Sequence, residues 1–176
     1  MVLTFENLII RNAIPDDAEQ LALWWNNGLI MAHAGFPMGL GQSVNSVMEK
    51  LKNESDESFR HLIIEVSQNA VGEMSYRDRG QGIVEISIKI CDFSLHNKGI
   101  GKKVLSMLIS FLFKDMKYEK IVLDTNLENR RAQHVYEQLG FRKSQILENS
   151  WKNQLGEPQS TVKYELCPDN FVDFTK

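Results

Sequence analysis

Hydrophobic positions change their period several times along the chain, and each change marks an element. Leu8-Ile9-Ile10-Arg11 reads as a first strand. Pro15 followed by Asp16 and Asp17 opens a helix, with a fixed φ at its first position and acidic side chains at its positive end; Asn26-Asn27-Gly28 closes it. No periodic pattern survives from Gly28 to Gly41, so that stretch is expected to be a loop. Val44, Val47, Met48 and Leu51 then recur at the spacing of one helical face, with Ser43 placed to cap it. Three β-rich runs follow at 59–66, 70–76 and 83–90, separated by Gln68-Asn69 and Asp78-Arg79-Gly80-Gln81-Gly82, and they predict an antiparallel meander. In the third run Val84, Ile86, Ile88 and Ile90 share one face, while Glu85, Ser87 and Lys89 share the other.

From Gly99 the period becomes helical. Val104, Leu105, Leu108, Ile109 and Leu112 make a broad apolar face, and Ile121-Val122-Leu123 is a short buried strand. Residues 83–124 therefore predict a β-α-β crossover. Ala132, Val135, Tyr136 and Leu139 mark another helix, stopped by Gly140. Strands at 141–147 and 160–166 complete a sheet of seven. The chain is expected to form one domain over 1–176, with its core at about 5–166 and residues 168–176 as a loosely held tail.

Composition narrows the function classes. Hydrophobic residues make up 43% and charged residues 24% of the chain, as in an average soluble globular protein. With 20 Lys and Arg against 23 Asp and Glu, the formal charge of -3 gives too little positive field to hold a polyanion, so nucleic acid is not an expected partner. Two cysteines, Cys91 and Cys167, are too few for a disulfide scaffold or a four-thiolate zinc site, and no metal is expected. The most apolar segment, 104–113, is interrupted by Ser106 and Ser110 and is far shorter than the roughly 20 residues a membrane span needs. With no secretory leader pattern at the start, a cytoplasmic protein without a membrane partner is expected.

The chemistry concentrates in Cys91-Asp92-Phe93-Ser94-Leu95-His96-Asn97-Lys98-Gly99-Ile100-Gly101-Lys102-Lys103, between strand and helix. Two close glycines let several backbone N–H groups converge on one anion, the following helix adds its positive end, and Lys98, Lys102 and Lys103 can add charge. A plain glycine-rich turn before a lysine-rich helix is the alternative. A Walker loop is excluded because Gly99 and Gly101 stand too close together; a dinucleotide fingerprint is excluded because Val104 occupies the place of its third glycine.

Together with Asn129-Arg130-Arg131-Ala132 and Tyr136-Glu137-Gln138-Leu139-Gly140-Phe141, this loop resembles the acyl-CoA-dependent N-acyltransferases of the GNAT superfamily, in particular the ribosomal-protein N-terminal acetyltransferase group. That family's loop runs Gln/Arg-x-x-Gly-x-Gly/Ala; here His96 departs at the first place, and Gly99 and Gly101 fit. Asn129, Ala132, Tyr136, Gly140 and Phe141 match the family's second block, and the resemblance covers about residues 5–166.

The resemblance implies a GNAT-like mixed α/β fold: a largely antiparallel seven-stranded sheet with a β-α-β cofactor-binding core and helices on both faces. It also implies acetyl-CoA as co-substrate. The backbone of Ile88, Lys89 and Ile90 would pair with the pantetheine arm, while amides of Asn97, Lys98, Gly99, Ile100, Gly101, Lys102 and Lys103 would hold the pyrophosphate, with His96 as a weaker side-chain donor than arginine. Asn129 and Ala132 would border the pantetheine, and Tyr136 would stand beside the thioester sulfur. A phenol with an ordinary pKa of about 10 stays protonated at neutral pH and can donate to a departing thiolate.

The attacking primary amine must be neutral, which makes Glu85 and Glu73 the candidate bases, with His61 and His134 as relays. Trp24, Trp25, Phe36, Tyr76 and Trp151 are candidate acceptor-pocket residues, most of them expected to pack in the core. The acceptor reads first as a protein N-terminus. A polyamine, an aminoglycoside or an amino acid derivative is the alternative, a non-catalytic acyl-CoA-binding protein a further one, and a homodimer is left open.

Overall fold

The computed structural model describes all residues, 1–176. Its sheet has eight strands: β1 (Val2–Phe5), β2 (Leu8–Asn12), β3 (Phe59–Val66), β4 (Asn69–Gly80), β5 (Ile83–Ile90), β6 (Lys120–Asn126), β7 (Arg142–Lys152) and β8 (Pro158–Leu166). Their spatial order is β1-β2-β3-β4-β5-β6-β8-β7, and β5 with β6 is the one parallel pair. The mixed, largely antiparallel sheet expected from the sequence is present, with eight strands in place of seven. The addition is β1, which turns back onto β2 through Glu6 at φ 53° and Asn7.

Helices α1 (Ala18–Trp25), α2 (Gly28–Met31) and α3 (Val44–Lys52) precede β3; α4 (Ile100–Lys114) connects β5 to β6; α5 (Arg130–Gln138) follows β6. Ser43 caps α3 by accepting from the Ser46 amide at 3.1 Å, as its position predicts. The stretch read as a featureless loop holds α2 and a 3-10 turn at Ala32–Ala34, started by the Asn27 side chain, which accepts from the Leu29 and Ile30 amides.

Alternation along β3 divides the interior. Leu62 and Ile64 face a large cluster with Val104, Leu105, Leu108, Ile109 and Leu112 of α4, whereas Ile63 faces a smaller cluster with α1 and α3. Helices thus cover both faces. Leu108, Ile109 and Leu112 are fully buried, so the helix that starts at the glycine loop is anchored along most of its length. Removing one such side chain costs about 2–5 kcal/mol. Candidate pocket residues Trp24 and Tyr76 are spent in this packing. Trp24 is buried in the α1–α3 cluster, and Tyr76 is 1% exposed with its hydroxyl donating to the Asp56 carbonyl at 2.9 Å.

Residues 168–176 are docked, not loose. The Val172 amide donates to the Leu139 carbonyl at 3.0 Å, and the Phe174 amide donates to Ser106 Oγ at 3.0 Å. Phe171 packs on Phe113 with ring centroids 6.2 Å apart, and Lys102 Nζ lies 4.6 Å from the Phe174 ring centroid. Charge suggested a solvated tail; the two phenylalanines decide otherwise. Gly140 makes the seat, since at φ 94° a β-carbon there would lie 1.9 Å from the Asn170 carbonyl oxygen. Gly140→Ala is therefore expected to cost about 1–3 kcal/mol or more in urea unfolding. Gly156→Ala, also at positive φ but with nothing within 4 Å, should cost about 1 kcal/mol.

Candidate active site

Strands β5 and β6 pair only at Ile83–Lys120, Val84–Ile121 and Glu85–Val122. Beyond Glu85 they separate, and a cleft of about 1290 Å³ opens between them. Ser87, Ile88, Lys89 and Ile90 form one wall; Asp124, Thr125 and Asn126 form the other; Asn129, Ala132, Val135 and Tyr136 of α5 close one side. Since β5 keeps its partner β4 on its far side, its near edge from Ile86 onward, apart from the Ile90 carbonyl that His96 engages, has no strand partner and faces the fork.

The glycine loop stands at the open end. Asn97 at φ 60° and Gly99 at φ 77° turn the chain into α4, whose cap residue, Gly99, supplies no side-chain acceptor. The amides of residues 97–102 find no backbone acceptor. They sit where the helix dipole is positive, a local geometry that favours negative charge. Gly101 explains itself the same way: nothing stands within 4 Å of where its β-carbon would be, so packing does not demand glycine there. The missing side chain leaves the cradle open.

The side chains around it are arranged differently from the sequence-based expectation. His96 does not point a free imidazole into the loop; its Nε2 donates to the Ile90 carbonyl at 2.8 Å, and its Nδ1 accepts from Arg131 Nη1 at 2.6 Å. Both ring nitrogens are thereby occupied, and Arg131, quoted in the motif but given no role, brings the positive charge to the cleft. Lys102 lines the cleft. Lys103 does not, because its Nζ donates to Glu6 Oε2 at 2.7 Å and lies over Phe5; Lys98 is exposed outside the cleft. Asn129 is the cap of α5, its Oδ1 accepting from the Ala132 amide at 3.2 Å, which accounts physically for the Asn-x-x-Ala spacing.

Tyr136 is 6% exposed, packed against Phe141 and Tyr164, and lines the cleft without a protein hydrogen bond at its hydroxyl. Burial, and then the charge of Asp124, raise its pKa above the ordinary phenol value, so it stays a proton donor. Cys91 lies beside this region without lining it, and burial pushes its thiol up to about 12, which keeps it from acting as a nucleophile at neutral pH.

Neither expected base reaches the cleft. Glu85 lines neither the cleft nor the neighbouring cavity and is paired with Arg79. Glu73 is 4% exposed and lines the second cavity, of about 840 Å³, where it accepts from Trp25 Nε1 at 2.9 and 3.0 Å and from Lys89 Nζ at 3.1 Å. His61 lines that cavity too, paired with Glu54, whereas His134 lines the main cleft. The carboxylate that does line the main cleft is Asp124, which sequence reading passed over. Its signal was present: in the strand Lys120–Asn126, Ile121 and Leu123 point inward, so Asp124 points the other way, just past the strand's last apolar position.

Of the candidate acceptor residues, Trp151 lines the cleft, with Nε1 donating to Thr161 Oγ1 at 2.9 Å. Trp25 lines the second cavity, and Phe36 lines neither. Leu29, Ile30, His33 and Ala34 line the main cleft as well, and the Trp151 ring packs on the neighbouring Gly35. The β7–β8 tip ties down the segment that follows: Gln154 accepts from the Met38 amide at 2.8 Å and donates to the Gly39 carbonyl at 3.0 Å, and its own amide donates to the Gly35 carbonyl at 2.8 Å. No group of three or more His, Cys, Asp or Glu is placed to hold a metal ion, and no helix is long and apolar enough to cross a membrane.

The cleft thus combines a fork between two parallel strands, an amide cluster at one end and a tyrosine with a lone carboxylate inside. The chain belongs to the GNAT acetyltransferases, matching the acetyltransferase (GNAT) domain over residues 7–142. It is 29% identical over 143 residues to the SPbeta prophage-derived uncharacterized N-acetyltransferase YokL of Bacillus subtilis (strain 168), covering 80% of this chain and 78% of that one. Its fold is similar to that of the spermidine N-acetyltransferase from Vibrio cholerae in complex with CoA and spermine, with a TM-score of 0.83 and 22% identity over 93% of this chain and 97% of that one. It is also similar to a GNAT-family acetyltransferase from Bacillus anthracis, with a TM-score of 0.79 and 18% identity over 96% of this chain and 99% of that one.

Gly101 lies in the first turn of α4 with open space around it, so Gly101→Ala is expected to leave the fold intact and raise its stability by up to ~1 kcal/mol. A urea titration checks this, and a loss of stability would mean that packing, not ligand access, holds the glycine.

Proposed function

We propose that the protein transfers an acetyl group from acetyl-CoA to the primary amine of a small molecule. The observation that carries this reading is the run of unbonded amides at 97–102, set at the mouth of a fork whose β5 edge is also unpaired. A pyrophosphate suits the first feature and an amide-bearing pantetheine arm the second. Lys102 and Arg131 add positive charge at the phosphate end.

Bound acetyl-CoA supplies an activated acetyl thioester that an amine can take directly. Direct transfer suits the site because neither Cys91 nor Cys167 lines the cleft. Tyr136, kept protonated by its burial, donates a proton toward the leaving sulfur. A small acceptor suits the site better than a protein N-terminus because the segment Gly35–Gly39, which directly follows the cleft-lining residues Leu29–Ala34, is tied to the β7–β8 tip through Gln154. The CoA and spermine complex of the Vibrio cholerae neighbour favours an amine of polyamine type.

Calorimetry should show acetyl-CoA binding to the wild type and at least tenfold weaker binding to Gly101→Asp, whose carboxylate would enter the cradle. With spermidine as acceptor, Tyr136→Phe should lower kcat by about 10²-fold or more while leaving acetyl-CoA binding within twofold. Binding without turnover on any amine would favour a non-catalytic acyl-CoA-binding protein; no binding at millimolar acetyl-CoA would end the transferase reading.

A further inference from the structure

We propose that the C-terminal segment is part of the donor site: the Phe174 ring holds the Lys102 ammonium beside the glycine loop, where it meets the phosphates of acetyl-CoA. This rests on the transferase reading of the cleft. Phe174 is a positioning residue, acting through Lys102 and not on the ligand. The three lysines of the loop have different fates. Lys103 Nζ donates to Glu6 Oε2 at 2.7 Å, and Lys98 stands outside the cleft. Lys102 lines the cleft, and its Nζ lies 4.6 Å from the centroid of the Phe174 ring. Its stem folds back over the start of α4, as long helical side chains do, so that a β-carbon at Gly99 would lie 3.7 Å from Lys102 Cε. The far end of the side chain therefore lies beside the unbonded amides of residues 97–102.

The kind of partner matters. A carboxylate would hold the ammonium but cancel its charge and compete with a phosphate for its three N–H groups. A ring face attracts the cation through its quadrupole and leaves the charge uncancelled. The acidic residue next to Phe174 is engaged elsewhere: Asp173 Oδ1 accepts from the Thr175 amide at 2.9 Å and from Thr175 Oγ1 at 2.6 Å, and its Oδ2 lies 4.0 Å from Lys176 Nζ. Lys103, held by Glu6, shows the other outcome on the same helix turn, and it does not line the cleft.

The ring is itself fixed, because the segment that carries it is anchored at two helices. Just past α5 the Leu139 carbonyl accepts from the Val172 amide at 3.0 Å, and on α4 Ser106 Oγ accepts from the Phe174 amide at 3.0 Å. Phe171 packs on Phe113 of α4 with ring centroids 6.2 Å apart. Ser106 is fully buried inside the apolar run of α4, and it stands four residues after Lys102, on the same helix face. One residue, Phe174, thus meets both: its amide satisfies the buried hydroxyl, and its ring meets the ammonium one turn earlier.

The test is a double-mutant cycle read by calorimetry of acetyl-CoA binding at low salt, with wild type, Phe174→Leu, Phe174→Tyr, Lys102→Gln and the Lys102→Gln/Phe174→Leu double variant. Phe174→Leu should weaken binding about three- to fivefold, and Phe174→Tyr, which keeps the ring, should stay within about twofold of wild type. Lys102→Gln should weaken binding more than Phe174→Leu does, and adding Phe174→Leu to it should cause no further loss. A Phe174→Leu loss that persists in the Lys102→Gln background would come from the packing of α4 and not from the ammonium, and would overturn the proposal. So would a Phe174→Leu protein that binds as tightly as wild type, or a Phe174→Tyr protein that binds as weakly as Phe174→Leu. These three results leave the transferase reading standing, whereas a wild type that binds no acetyl-CoA at millimolar concentration would overturn both.

Discussion

The structure depends on two parallel strands that stop pairing. A parallel pair needs a crossover helix, and once β5 and β6 part after Glu85 that helix must hold the two branches at a fixed separation. The fully buried Leu108, Ile109 and Leu112 of α4 do so from one face of the sheet. Separation would strand backbone groups in a dry interior if the gap closed over them; as an open cleft it leaves them usable. His96 ties the far end of β5 to α5, through the Ile90 carbonyl on one nitrogen and Arg131 on the other, so the fork is braced at its mouth as well as at its root.

That geometry separates charge along the cleft. The unbonded amides of residues 97–102, Lys102 and Arg131 make one end electropositive, while Asp124 and Tyr136 sit where the strands part. Under the proposed function, an elongated ligand with phosphates at one end and a reactive group at the other would be oriented by this arrangement. The second cavity, across β5, has its carboxylates engaged by neighbours: Glu73 by Lys89 and Trp25, Glu54 by His61, and Glu49 by Lys52. Ser87 and Lys89 line both spaces, so β5 is the wall between them.

Local patterns made much of this legible in the sequence. The alternation of Val84, Ile86, Ile88 and Ile90, the broad apolar face of α4 and the Asn-x-x-Ala-x-x-x-Tyr block each report their own element, and the two glycines report the loop. What escaped depends on partners distant in sequence. Strand β1 is four residues long and exists because β2 lies beside it. The tail is held by Leu139 and Ser106. Glu85 looked like a base because its strand position was right, but Arg79 claims it; Trp24 and Tyr76 looked like pocket aromatics, but the core claims them. Asp124 was overlooked for the converse reason. A carboxylate at the end of a short strand has no distinctive pattern until the neighbouring strand is seen to diverge.

The most direct test of the account is an amide-resolved NMR titration of the protein with acetyl-CoA. Shifts and slowed hydrogen exchange are expected at residues 97–102 and along Ile88–Ile90, with the amides of α3 and of the second cavity around Glu54 unmoved. Perturbation centred on that second cavity, with the loop amides unchanged, would contradict the claim that the fork between β5 and β6 is the donor site.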